Sequence, residues 1–332
     1  MYTEEYAETV MNTIPSIFNE KQFKRTVLGG NELTAAPEDC LPFSVILLNR
    51  GARHYRTQVI QQLLKYRFRS ILSVELSGEN YELSTLSKTY PSVKFLIPLE
   101  EVTIGDMINM GMEELDTKYV LVIWNDAMFS YPSLPLKLTE KIIADERLCT
   151  VPLLTTHSGQ SIPVGFMPVN EQNKFKVLSS MCYQDDIPTL YPFDYIGIYN
   201  REKFMQLGGF DYTIKTSYWQ NLDFFFRSWL WGEKTAVATL FKVSYQSETP
   251  CEDITTDDYY LRFFLKNLVP QYKMDHAEVP FKKVFSFINK YPKGLLEAVH
   301  HFKDARNWVE KNKYRFKTDA KLLMESWDNE EK

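Results

Sequence analysis

Residues 118–129 read KYVLVIWNDAMF. Six apolar residues, Tyr119 through Trp124, run without a break and stop at Asn125-Asp126. A short apolar run rich in β-branched and aromatic residues predicts a strand buried on both faces of a parallel sheet, although a buried helix segment would share the pattern. In open α/β sheets, ligands bind just past the carboxyl ends of such strands. A carboxylate there suits a divalent cation, and a cation there neutralises a bound diphosphate. The plainer reading of the same residues is a turn, because Asn-Asp is good turn chemistry.

Working outward, apolar strand patterns recur at 43–48 (FSVILL), 70–76 (SILSVEL) and 93–97. Helical patterns separate them at 55–66, 81–89 and 105–115. This alternation predicts an α/β fold built on a mostly parallel, doubly wound sheet. Further on, helices are expected at 134–145 with Ser133 as its cap, at 201–207 before Gly208-Gly209, and at 219–231 before Gly232. Strands are expected at 149–155, 194–199 and 236–245. The first forty residues read as a helical lead-in and loop broken by Gly29-Gly30 and Pro37. From residue 257 the chain is helical and charge-laced, with no sheet signal after Pro270. The expected division is 1–40, 41–256 and 257–332.

Composition narrows the function. A chain of 332 residues with 44% hydrophobic and 24% charged residues is ordinary for a globular protein. A net charge of −5 argues against a nucleic-acid partner, which needs an excess of Lys and Arg. Cys40, Cys149, Cys182 and Cys251 lack metal-type spacing and read as thiols in a reducing compartment. MYTEEYAETVMN lacks the features of a signal peptide, and no apolar stretch reaches the ~18 residues of a membrane-spanning helix. The expected location is cytoplasmic. No Gly-x-Gly-x-x-Gly follows the first strand, where Asn49-Arg50-Gly51-Ala52 stands, and no Walker-type loop is present, which disfavours dinucleotide oxidoreductases and P-loop enzymes.

The order of the pieces over residues 43–248 resembles a family 2-type glycosyltransferase with the GT-A fold. FSVILL opens it, and ILSVELSGEN follows, ending its strand in Glu75 where the family's acid contacts the nucleotide of a sugar-nucleotide donor. GDMINMG, 105–111, resembles the family's Gly-x-x-x-Asn-x-Gly helix beside the donor and points to Asn109. YVLVIW with Asn125-Asp126 matches the segment of the Asp-x-Asp metal motif. YIGIYNREKFMQLGGFD, 195–211, resembles the acceptor-side block, and WQNLDFFFRSWLWG the stretch that follows it. The resemblance implies a GT-A-like mixed, mostly parallel sheet with a C-terminal helical extension. It implies a hexosyltransferase-type activity on a nucleotide-sugar donor, with a glycan, lipid-linked or protein acceptor. It also implies a Mn²⁺ or Mg²⁺ cofactor on Asp126.

The departures bear on the chemistry. Trp124 replaces the first acid of the metal motif, and Asn221, preceded by Gln220, stands where the family carries its catalytic base. An amide cannot take a proton at neutral pH. Asp211 or Asp223 would then have to act as base, although Asp223 points roughly 200° away from Asn221 on a helix. Trp219, Asn221 and Arg227 are assigned to the acceptor side. Arg227 could equally pair with Asp223, and Trp219 could equally be core. A retaining mechanism would need no base at Asn221. The alternative is a catalytically impaired sugar-nucleotide binder or a scaffold in a glycan-assembly complex. The helical tail offers a surface for self-association.

Overall fold

The runs of buried aliphatic residues meet in one ten-stranded mixed sheet. A computed structural model describes residues 21–30, 40–51, 53–77, 82–172, 174–282 and 295–330. Its sheet half begins with β1 (Arg25–Gly29), β2 (Leu41–Leu48), α1 (Arg53–Lys65), β3 (Phe68–Val74), α2 (Leu83–Thr89) and β4 (Val93–Pro98). It continues with α3 (Ile104–Glu114), β5 (Tyr119–Trp124), β6 (Ala127–Phe129), α4 (Leu136–Asp145) and β7 (Cys149–Thr155). Then come β8 (Ser161–Ile162), β9 (Gly165–Glu171), β10 (Lys174–Ser180), β11 (Gly197–Asn200), α5 (Arg201–Leu207), α6 (Ser217–Leu230) and β12 (Thr235–Tyr245). The order across the sheet is β1-β4-β3-β2-β5-β11-β7-β12-β6, with β8 beside β7.

Strands β4, β3, β2 and β5 run parallel, as βαβ crossovers require. Strand β5 is buried throughout, matching its unbroken apolar run. Beyond it β11 is antiparallel to both β5 and β7, so the sheet is mixed. Strand β1 pairs antiparallel with β4, and this corrects the helical lead-in over its residues. The rest of that lead-in, 1–20, and Pro37 lie outside the described residues. Helix α4 is preceded by Pro135 with no side-chain cap, so Ser133 does not cap it. The β9–β10 hairpin fills a region whose sequence gave no clear periodicity.

Helix α3 is placed by its small residues. A Cβ on Gly105 would lie 2.5 Å from the Gln220 side chain and 2.7 Å from that of Phe210, and one on Gly111 would lie 2.7 Å from Ile46. The helix start carries a capping box between Thr103 and Asp106. Gln220 Oε1 accepts the Gly105 N–H at 2.9 Å, and its amide donates to Thr103 Oγ1 at 2.8 Å. Gln220 therefore locks α3 to α6, which fixes where Asn221 faces.

The chain after β12 forms α7 (Asp258–Phe263), a π-helical turn (Phe264–Leu268), a short hairpin of β13 (Gln271–Lys273) and β14 (His276–Glu278), α8 (Leu295–Asn312) and α9 (Ala320–Glu330). The hairpin corrects the expectation of no strands after Pro270. These elements share one apolar core with the sheet, extending to Trp327. No described helix is long and apolar enough to cross a membrane. An ionic knot pins the π-turn to α6: Lys266 Nζ donates to Asp211 Oδ2 at 2.8 Å and to Asp223 Oδ2 at 2.9 Å, with all three side chains buried. Breaking one partner of such a knot leaves charge uncompensated in the core. Lys266→Ala should lower unfolding free energy in a urea titration by about 3–5 kcal/mol. A loss under about 1 kcal/mol would contradict this role.

Candidate functional site

The site starts where β2 ends. Asn125 braces the exit loop: its side-chain amide donates to the Arg50 carbonyl at 3.0 Å, its Oδ1 accepts the Arg50 N–H at 3.3 Å, and its own N–H donates to Leu48 O at 2.9 Å. With that backbone fixed, the Arg50 guanidinium lies along Asp126, Nε to Oδ2 and Nη2 to Oδ1, each 2.9 Å. Its Nη1 donates to Asp194 Oδ2 at 2.8 Å. The Trp124 ring lies 4.4 Å from the guanidinium carbon, and the indole N–H donates to the Asp194 carbonyl at 2.9 Å. Tyr245 donates its hydroxyl to Asp194 Oδ2, and Ser247 donates to Asp126 Oδ2.

Burial pushes Asp194 up to about 6, against the lowering effect of Arg50 and the Tyr245 hydrogen bond. Burial also opposes the Arg50 charge, but Asp194 and Asp126 outweigh it and hold the guanidinium above its ordinary range. Asp194 and Tyr195 both adopt left-handed backbone, φ 53° and 62°. That conformation is costly for a bulky Tyr and marks strain stored beside the cluster.

These residues do not fit a divalent metal. Asp126 is 1% exposed, and both its oxygens are engaged by Arg50, with Ser247 on one of them. The position of the first motif acid holds an indole, and β12 runs out through Tyr245-Gln246-Ser247. Among the described residues no group of three or more His, Cys, Asp or Glu is placed to hold a metal. In this structure a guanidinium engages both oxygens of Asp126, the expected Mn²⁺ or Mg²⁺ ligand.

Arg50 lines a cleft of about 540 Å³ at the carboxyl ends of β2 and β5. Its lining includes the apolar side chains of Leu76, Val102, Ile104 and Met107 together with Tyr218, Asn221, Glu252 and Lys215. Arg50 uses three of its five N–H groups on the two acids, leaving one on each terminal nitrogen. Two buried cleft oxygens, Asn49 Oδ1 and Asn221 Oδ1, have no hydrogen-bond partner. Buried acceptors without a donor are costly, and a ligand N–H or O–H would satisfy them. Burial pushes Glu252 up to about 7, against a 2.9 Å hydrogen bond from Tyr191 and with Asp194 adding to the rise.

The structure separates the residues chosen from sequence. Asn221 faces the cleft, its amide donating to Pro192 O at 3.0 Å. Glu75 sits behind Asn49, accepting from Ser73 at 2.8 Å and paired with Arg56, so it supports the cleft wall without lining it. Asn109 is a clamp on the Gly-Gly-Phe-Asp loop, bonded to both the N–H and the carbonyl of Phe210 at 2.9 Å. Asp211 is fully buried; burial opposes its charge, but Lys266 and Arg262 hold it well below the usual carboxylate range. Asp223 takes hydrogen bonds from Lys266 and Asn267 in the same knot. Neither acid lines the cleft. Arg227 is fully buried, donating to Gly209 O at 2.7 Å and lying 3.4 Å from Asp223 Oδ2, away from the cleft. Trp219 donates to Thr255 O at 2.8 Å and lines a second groove rather than the cleft.

Sequence reasoning missed Arg50, Asp194 and Glu252. Arg50 carried a signal, a basic residue directly after the first strand with an acid after its neighbour. Asp194 and Glu252 carried none, since each arrives from a loop distant in sequence.

No protein-family model matches the sequence, and no curated protein does. Solved structures do match. A crystal structure of GalNAc-T7 with UDP, GalNAc and Mn²⁺ superposes with a TM-score of 0.60 at 13% identity, over 88% of this chain and 57% of that one. This chain therefore spans little more than half of that protein. S. aureus TarS 1-349 in complex with UDP-GlcNAc superposes with a TM-score of 0.50 at 13% identity, over 86% of this chain and 91% of that one. Likeness at this identity establishes the fold: the chain has a GT-A glycosyltransferase fold.

The raised Glu252 pKa has a consequence for stability. The native state keeps its proton to about pH 7 while the unfolded chain loses it near the ordinary value, so stability falls as pH rises through that window. Glu252→Gln removes the fall. The variant should gain on the parent by about 2–3 kcal/mol between pH 5 and pH 8 in chemical denaturation. A pH-independent difference would contradict it.

Proposed function

We propose that this chain is a glycosyltransferase that binds a nucleotide-sugar in the cleft beside Arg50 and passes the sugar to a hydroxyl acceptor. The apolar lining of Leu76, Val102, Ile104 and Met107 suits a nucleobase, and the Asn49 oxygen is available to a base N–H. The observation that carries the reading is Arg50, clamped by Asp126 and Asp194 with N–H groups to spare in the cleft. A planar guanidinium takes two phosphate oxygens at once and stabilises the charge that develops on a leaving diphosphate. Lys215, 45% exposed at its side chain and 3.9 Å from Asp106 Oδ2, adds a positive charge to the cleft lining. No step runs through a metal.

A second reading keeps the nucleotide-sugar and drops the transfer, giving a binder or scaffold. Asn221 at the family's base position favours it. Turnover separates the two.

Titration calorimetry with UDP-GlcNAc tests the donor site. The affinity should be equal in EDTA and in Mn²⁺, and Arg50→Gln should weaken it roughly 10- to 100-fold. Binding that appears only with Mn²⁺ would overturn the guanidinium's role. Affinity should also rise as pH falls from 8 toward 5.5, because a bound anion favours protonated Asp194, whose pKa lies at about 6. A flat profile would contradict that coupling.

A further inference from the structure

A second groove, of about 970 Å³, lies between the β9–β10 hairpin, the loop after β12, the π-turn and α9. It meets the donor cleft at two residues, Tyr218 and Glu252. Glu252 is the carboxylate common to both cavities, and its Oε2 accepts the Tyr191 hydroxyl at 2.9 Å. Half-buried Tyr260 and Phe264 line the groove, with Tyr191 and Trp219 buried in its wall, and the groove is larger than the cleft and roomy enough for an oligosaccharide.

We propose that Glu252 is the catalytic base of the transfer, taking the proton of an oligosaccharide hydroxyl that arrives through this second groove. The proposal rests on the transferase reading above. The acceptor O–H bond breaks and its proton moves to a Glu252 oxygen. The acceptor oxygen forms a bond to the anomeric carbon while the bond from that carbon to the diphosphate breaks with its electron pair. The products are the glycoside of inverted configuration and the nucleoside diphosphate, and Glu252 then returns its proton to solvent.

Several features support the assignment. Asp211 and Asp223 are sealed in the knot with Lys266, leaving Glu252, Asp194 and Asp253 as the cleft acids. Asp194 is held by Arg50 and Tyr245, and Asp253 is engaged with Thr255. The groups facing Glu252 are Tyr191, Tyr218, Tyr195 and Asp194. The groove's lysines include Lys176, paired with Glu171, and Lys321, 3.7 Å from Glu325. With burial and Asp194 disfavouring its charge, Glu252 titrates at about 7, where a base is most effective in neutral solution. Tyr191 acts as a positioning residue.

The test follows UDP release from UDP-GlcNAc, with water and with a panel of oligosaccharides as acceptors, alongside donor binding by calorimetry. Glu252→Gln should lower kcat about 10²- to 10⁴-fold with donor Kd within twofold. The parent's kcat should fall on the acid side through pH 7, and Tyr191→Phe should move that limb to higher pH by removing a hydrogen bond to the charged form. Retained kcat in Glu252→Gln, an unshifted limb in Tyr191→Phe, or donor binding without turnover in the parent would each overturn the base assignment. Absence of donor binding would overturn the transferase reading itself.

Discussion

The Arg50–Asp126 pair is the contact on which the site's other features depend. Two parallel N–H···O bonds fix the guanidinium plane, and the Trp124 ring beneath it removes the remaining freedom. Asp194, brought in by a strained left-handed turn, holds the third nitrogen. Burial lifts Asp194, outweighing the lowering pull of Arg50 and the Tyr245 hydrogen bond, with the Asp126 charge adding a smaller rise. The outcome is a rigid guanidinium–dicarboxylate cluster that passes from neutral to net negative as Asp194 ionises, standing at the carboxyl end of the central parallel strands.

A second buried ionic assembly lies farther into the fold and has a different character. Asp211, Asp223, Lys266, Arg227 and Arg262 satisfy one another away from the cleft. Their effect is positional: they tie α6 to the chain after β12, and α6 carries Asn221 and Tyr218 into the cleft. The loop that supplies Glu252 lies between β12 and that same docked segment. Charges of this kind add little net stability over an apolar core, but removing one leaves the others unpaired.

Much of the architecture was legible in the sequence because buried parallel strands must be continuously apolar. Tyr119–Trp124, Cys149–Thr155 and Arg201–Leu207 begin and end where their patterns do. The amphipathic signal failed where burial is one-sided or pairing is local, as in β1, β9, β10 and the β13–β14 hairpin. The site was legible only in part. A motif locates a residue along the chain and says nothing of what pairs with it. Asp126 was found, but its partner comes from the end of another strand; Asp211 and Asp223 were found, and the lysine paired with them lies 55 and 43 positions on. The glycines of GDMINMG were recognised for a ligand, whereas they serve the approach of α3 to Gln220 and Ile46.

Arg50 is the group that Asp126 holds at the edge of the cleft, with no place left on that carboxylate for a metal ion. A crystal of the protein grown with UDP and Mn²⁺, read by anomalous scattering at the manganese edge, tests it most directly. Arg50 should remain on Asp126 with its free N–H groups on a phosphate oxygen, and no manganese peak should appear at that carboxylate. A manganese ion bound to Asp126 with Arg50 swung away would contradict it.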